Sequence, residues 1–123
     1  MTSAADHLIW VLEAARAADE KKAVDTVVID VGDVLAVTDH FVVTSGTNPR
    51  QVKAIVDGVE LDLKAAGGPA PLRIEGAESR NWVLLDYGSF VVHVFDRETR
   101  DFYSIERLWA DCPRVDWQPV SRR

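Results

Sequence analysis

Cysteine is almost missing from this chain. Cys112 stands alone, so no internal disulfide can form, and this usage agrees with a reducing compartment. It precedes Pro113 with no basic cluster around it, which argues against a reactive thiolate. Histidine is also scarce: His7, His40 and His93 stand far apart, and neither Cys-x-x-Cys nor His-x-x-x-His occurs, so no structural zinc is expected. No apolar run approaches the roughly 20 residues that span a bilayer, and the opening MTSAADHL lacks the basic and long apolar regions of a secretory signal. No membrane association and a cytoplasmic location are therefore expected. Repeats and low-complexity tracts are missing, which excludes a solenoid. Bases are outnumbered, 14 against 20 acids, giving a net charge of −6. Binding to bare nucleic acid needs cations that replace counterions, so direct DNA binding is disfavoured and a basic protein partner suits the charge better.

What is present is enough apolar material for one core. With 123 residues, 47% of them apolar, the chain fits a single α/β domain over residues 1–112 followed by an extended tail over 113–123. Ser3, with Asp6 three residues on, signals a helix start, and Leu8, Leu12 and Ala15 share a stripe running to about Glu20. The β-branched run Thr26-Val27-Val28-Ile29 predicts a strand over Ala23–Val31, and a second strand carries Phe41, Val42 and Val43 from about Asp39 to Thr44. Asn48 is suited to cap a helix that has Pro49 at its first position, with Val52, Ile55, Val56, Val59 and Leu63 at helical spacing. Gly58 lies inside that helix at a typical cost of about 0.5 to 1 kcal/mol, and Gly67-Gly68-Pro69 ends it. A short strand near Pro71–Ile74, then strands over Asn81–Tyr87 and Phe90–Phe95, and a helix with Ile105, Leu108 and Trp109 complete the order. The pattern predicts a mixed five-stranded sheet covered by helices, in which the second helix links strands that lie parallel. The charged segment DRETRD reads as a connector.

Gly88-Ser89 between two strands suits a two-residue type II′ turn. Counting outward from it places Val83, Leu85, Tyr87, Phe90, Val92 and Val94 on one apolar face. Trp82, Leu84, Asp86, Val91, His93 and Phe95 fall on a mixed face. Aromatic rings beside a carboxylate and an imidazole suit a protein interface, while the same residues also suit a doubly covered sheet. Asp86 is placed either to bond turn amides or to meet a partner, and His93 either to be a neutral, hydrogen-bonded core residue or to contact one. Tyr87 sits at the hairpin tip, where its ring can pack while its hydroxyl reaches outward.

Signals for catalysis are weak. Ser45-Gly46-Thr47-Asn48-Pro49 leads into a helix, but it has one glycine, no following Lys-Ser or Lys-Thr, and a proline that removes an amide donor. Two-carboxylate magnesium chemistry finds only Asp96 and Glu98 around Arg97, or Asp30 with Asp33. No Gly-x-Ser-x-Gly elbow marks a hydrolase. No cofactor and no enzymatic activity are expected, and a magnesium-dependent nucleotidyltransferase-like enzyme is the alternative.

The block from Trp82 to Trp109, WVLLDYGSFVVHVFDRETRDFYSIERLW, closely resembles the signature of the ribosomal silencing factor (RsfS, or Iojap) family. Its tryptophan-led apolar run, Asp-Tyr-Gly turn, Val-Val-His strand and Arg-x-Phe-Tyr…Glu-Arg-Leu-Trp helix follow in the family's order. SGTNPRQVKAIVDGV and the segment ending Ile74-Glu75-Gly76 extend the resemblance over about residues 5 to 112. It implies a nucleotidyltransferase-like sandwich, a homodimer, and a repressor of translation under nutrient limitation. Such a repressor binds the large ribosomal subunit through its fourteenth protein and sterically blocks joining of the small subunit. Carried over residue by residue, the partner-binding positions are Trp82, Asp86, Tyr87, His93, Glu106, Arg107 and Trp109, with Tyr87 and Asp86 foremost. The chain departs from the family pattern where Gly88-Ser89-Phe90 replaces a Gly-Asp-Val continuation and Asn81 replaces a glycine.

Overall fold

Residues 4–118 are described by the structure, a computed structural model, with side chains from His7 onward. The Ser3 helix signal and the last five positions of the expected tail lie outside the described residues. Helix α1 spans Ala4–Glu20. Strands β1 (Val24–Asp30) and β2 (His40–Gly46) follow, then α2 (Pro49–Ala65), β3 (Arg73–Glu75), β4 (Trp82–Asp86) and β5 (Phe90–Asp96). Two short helices, α3 (Arg97–Tyr103) and α4 (Ile105–Leu108), precede β6 (Arg114–Val115).

The strands form one sheet in the order β3-β4-β5-β2-β1-β6. β2 and β5 are parallel and every other neighbouring pair is antiparallel. Two antiparallel steps separate β3 from β5, so β3 runs in the same direction as β2, and α2 links parallel strands as its place in the sequence suggests. α2 begins as its residues dictate: the Asn48 side chain accepts a 2.8 Å bond from the Gln51 amide, and Pro49 fills the position whose amide has no partner to lose. Inside the helix, the aliphatic part of Lys21 lies over Gly58, where a side chain would compete for its space.

One face of the sheet carries both long helices. Val11, Ala14 and Ala18 of α1 and Val52, Ile55, Val59 and Leu63 of α2 pack with Val28, Val42, Leu85, Phe90, Val92 and Val94, all buried. Alternation along each strand sends Ile29, Phe41, Val43 and Phe95 to the other face, where Ile105 and Cys112 cover only part of the sheet. The central strand β2 is buried along its whole length, flanked by β1 and β5, with the long helices over one face and Phe41 packed against His93 and Trp109 on the other.

The hairpin follows the expected register. Trp82 pairs with Phe95, Leu84 with His93 and Asp86 with Val91, and the Tyr87 amide donates to the Phe90 carbonyl at 2.9 Å. Gly88 takes a φ of +88°, which an L side chain rarely adopts.

Three expectations need correction. The sheet has six strands rather than five, because Arg114-Val115 pairs with β1. Residues 113–118 of the expected extended tail are therefore docked on the domain: Trp117 is buried against the helix-side core, and its indole N–H donates to the Thr26 carbonyl at 3.0 Å. The segment DRETRD is not a connector but the start of α3. Asp96 accepts from the Thr99 amide at 2.7 Å as an N-cap, and Glu98 stands in the first turn, where negative charge favours a helix. Ser104, at φ +44°, breaks the helix and reduces α4 to one turn.

Candidate protein-docking face

The uncovered part of the second sheet face forms a groove. Phe41, Leu84, Val91 and His93 make its floor, the β1–β2 loop supplies one wall through Leu35, Val37 and Thr38, and Leu72, Arg73 and Glu75 supply the other. The cavity measures about 460 Å³. Backbone bonds hold the loop in place: the Val31 amide donates to the Asp39 carbonyl and the Asp39 amide to the Ser89 carbonyl, at 2.9 and 2.8 Å. Val37 and Leu72 flank the opening at 82% and 73% exposure, so apolar surface that folding would normally hide faces solvent on both walls.

Trp82 and His93 are brought into direct contact. The half-buried Trp82 stacks on Phe95 at 4.8 Å, and its indole N–H donates to His93 Nδ1 at 3.1 Å. Nδ1 therefore carries a lone pair, and the neutral ring has its proton on Nε2. Burial lowers the His93 pKa to about 4, which keeps it neutral at physiological pH. Its Nε2 is buried with no hydrogen-bond partner. The hydrogen-bonded histidine anticipated from sequence is thus half satisfied.

Asp86 performs the turn role open to it. One carboxylate oxygen accepts from the Gly88 amide at 2.8 Å and the other pairs with Arg73 Nη2 at 3.1 Å across the β3–β4 ladder. Arg73 also lies 3.7 Å from Glu75, so two carboxylates share one guanidinium at the groove edge.

The expected outward reach of Tyr87 is not observed. Its ring stacks on Phe90 at 4.7 Å on the helix-covered face and only 6% of the residue is exposed. The hydroxyl is buried without a partner, and burial, then the Glu60 carboxylate, holds its pKa far above the usual phenol value. Counting outward from the turn assigns Tyr87 to the apolar face, and that face is closed by the helices up to the tip.

Glu106 is not part of a solvated surface. Its Oε2 accepts from both Nε and Nη2 of Arg100 at 3.1 Å. Arg100 is itself buried and donates through Nη1 to Ser45 Oγ at 2.9 Å and to the Val24 carbonyl at 3.2 Å, tying α3 and α4 to β1 and β2. Sequence reasoning missed Arg100 because nothing local distinguishes it from the other charges of DRETRD. Arg107 is exposed. Trp109 is half-buried and meets Phe41 edge-on at 5.7 Å, while Phe41 meets His93 at 4.6 Å. Phe41 thus joins Trp109 to the Trp82–His93 pair. Its signal in the sequence was its strand position opposite to Val42, which is uninformative until β2 is known to lie beside β5.

Of the acid pairs that magnesium chemistry would use, Asp96 is engaged as the N-cap of α3 with Glu98 in the first turn, and Asp30, at the other end of the sheet, accepts from the Gly32 amide at 3.1 Å. At the start of α2, the Thr47 amide donates to Gln51 Oε1 at 2.6 Å and the Gln51 amide to Asn48 Oδ1 at 2.8 Å, so two of the amides there are already bonded.

Fold and groove together define a class: an α/β sandwich with both long helices on one sheet face and, on the other, a partly open groove with aromatic residues in its floor. A family model described as "Ribosomal silencing factor during starvation" matches residues 4–123. Ribosomal silencing factor RsfS of Bacillus subtilis is 37% identical over 103 residues, covering 84% of this chain and 86% of the relative. Mouse mitochondrial assembly of ribosomal large subunit protein 1 is 37% identical over 94 residues, 74% of this chain and 41% of the longer relative. A crystal structure of a Chromobacterium violaceum protein superposes with a TM-score of 0.80 at 36% identity, covering 84% of this chain and 85% of that one. A Bacillus halodurans crystal structure gives 0.75 at 34%, covering 89% and 98%. The chain belongs to the ribosomal silencing factor family.

Proposed function

We propose that this protein represses translation by docking on the large ribosomal subunit through its fourteenth protein, occupying space that the small subunit needs for joining. The observation that carries the reading is the open groove on the second sheet face, an apolar floor with aromatic residues beside it and a net acidic edge. Such a surface suits a basic protein partner, with buried apolar contacts supplying affinity and charge steering approach. Family membership supports the ribosome as target, and the name of the mouse relative ties that protein to the large subunit.

Within this reading His93, Asp86, the exposed edge of Trp82, Arg107 and Trp109 meet the partner. Tyr87 and Glu106 act at one remove, by holding the hairpin and the terminal helices in shape. Homodimer formation, which rests on the family resemblance, and a cytoplasmic location belong to the same proposal.

Co-sedimentation with purified large subunits, followed by addition of small subunits, tests the whole. The wild type is expected to sediment with large subunits and to suppress joining. The double variant Val37→Asp, Leu72→Asp changes only exposed positions on the two walls, so it is expected to fold normally and to bind at least about tenfold more weakly. Unhindered joining at saturating protein refutes the blocking mechanism, and undiminished binding by the double variant refutes the groove as the docking face.

A further inference from the structure

Two polar atoms in the groove lack what buried polar atoms normally have. His93 Nε2 and Thr38 Oγ1 are both buried without a hydrogen-bond partner, on residues 4% and 7% exposed. Both residues line the same cavity. Leaving such a group unpaired is unfavourable, so a partner that supplies the missing bonds gains from a cost the free protein already bears.

The chemistry of the missing partner follows from the tautomer. Because the Trp82 N–H points at Nδ1, that atom is the acceptor, and Nε2 can only donate. The ring therefore asks for an acceptor. The Thr38 hydroxyl can both donate and accept. Between them lie Phe41 and Val91, with Val37 and Leu72 on the walls. His93 sits on β5 three residues beyond Phe90, whereas Thr38 precedes β2 next to the hairpin turn, so the two groups mark separated points along the groove. Apolar surface interrupted at intervals by a donor and by a hydroxyl fits an extended backbone with its apolar side chains turned inward. At the rim, Asp86 and Glu75 share the single guanidinium of Arg73, which leaves one net negative charge on a chain whose total is −6.

We infer that the groove receives an extended segment of the protein partner, whose arrival shifts the His93 ring enough for Nε2–H, which lies just beneath the groove floor in the free protein, to donate to a main-chain carbonyl, with an apolar side chain seated beside it over Phe41 and Val91 and a lysine or arginine of the segment meeting the acidic rim. His93 is thereby a specificity-determining contact rather than only a core histidine. This inference rests on the docking reading above and adds the identity of the recognised group.

Two substitutions separate the ring's two nitrogens. In His93→Asn the side-chain oxygen replaces Nδ1 as acceptor for Trp82 and the groove loses its donor. In His93→Gln the amide N–H group takes the place of Nε2 and the donor is kept. Large-subunit binding is measured by co-sedimentation for the wild type and both full-length variants, with thermal unfolding as the check on folding. His93→Asn is expected to bind at least tenfold more weakly, and His93→Gln within about threefold of the wild type.

A mutation-free readout accompanies this: nitrogen-15 NMR of the His93 ring during titration with the purified fourteenth large-subunit protein. The free protein is expected to show the Nε2–H tautomer, and its ring proton resonance to move downfield on binding. Equal binding by a folded His93→Asn variant, or an unmoved resonance at saturation, overturns the inference while leaving the docking reading intact. Loss of self-association in His93→Asn with subunit binding unchanged assigns the groove to a second copy and likewise overturns it. Failure of the wild type to bind subunits at all overturns the docking reading, and this inference with it.

Discussion

Acidification provides a direct probe of the Trp82–His93 pair. In the fold, burial holds the His93 pKa at about 4, against 6.5 for an ordinary histidine. On lowering the pH from 6.5, the unfolded chain takes up a proton at this position before the folded protein does, because protonation in the fold would put an N–H where Nδ1 now accepts from Trp82. The stability contributed by the neutral ring is therefore complete above pH 6.5, falls as the pH drops toward 4, and is exhausted below that value. At about 1.4 kcal/mol per pH unit, the interval corresponds to about 3 kcal/mol, a large share of the stability of a domain this size. The rest of the chain contributes a pH dependence of its own, so the measured quantity is a difference. Urea unfolding of the wild type and of His93→Asn is followed from pH 7.5 to 4. The wild type is expected to lose about 3 kcal/mol more than the variant over that range, whatever constant offset the substitution introduces. A pH-independent difference between the two proteins refutes the argument that burial and the indole bond keep this ring neutral.

Three further substitutions test other parts of the structure. Tyr87→Phe removes a hydroxyl that is buried without a partner, so urea unfolding should show unchanged or slightly raised stability, whereas Tyr87→Ala should cost about 3 to 5 kcal/mol through the lost ring; a marked loss in the Phe variant would reveal a bond to the hydroxyl. Arg100→Ala leaves Glu106 without its partner and releases α3 from Ser45 and Val24, for an expected cost of about 3 to 5 kcal/mol, measured by urea unfolding. Gly76→Ala combines a φ of +81° with a collision between the new methyl group and the Trp82 carbonyl oxygen. A loss of more than about 2 kcal/mol in thermal unfolding is expected, and near-neutral behaviour would contradict the path of the chain between β3 and β4.

Much of the architecture is written locally. The Asn48-Pro49 start of α2, the Gly88-Ser89 turn and the alternating faces of β4 and β5 depend only on neighbours a few residues away, and each is found where the residues place it. The same holds for the family signature, which consists of such local elements in order. Misreadings arose where a local signal competed with a stronger one. Asp96 and Glu98 carry a helix start, but the density of charge in DRETRD looked like a connector, and Ser104 then divides what reads as one closing helix into two.

Short-range pattern is enough to set the longer helices and strands, the register of the hairpin and the sorting of its side chains onto two faces, because these follow from hydrogen-bond geometry and the period-two alternation of a strand. Which face each helix covers is settled by packing between distant parts of the chain. That choice buries Tyr87 and leaves His93 with an unpaired donor beneath an open groove, and it joins Arg100 to Ser45 and Glu106 across long stretches of chain. It also recruits Arg114-Val115 and Trp117 from the tail. These outcomes depend on contacts between residues far apart in the chain, which no short-range pattern encodes.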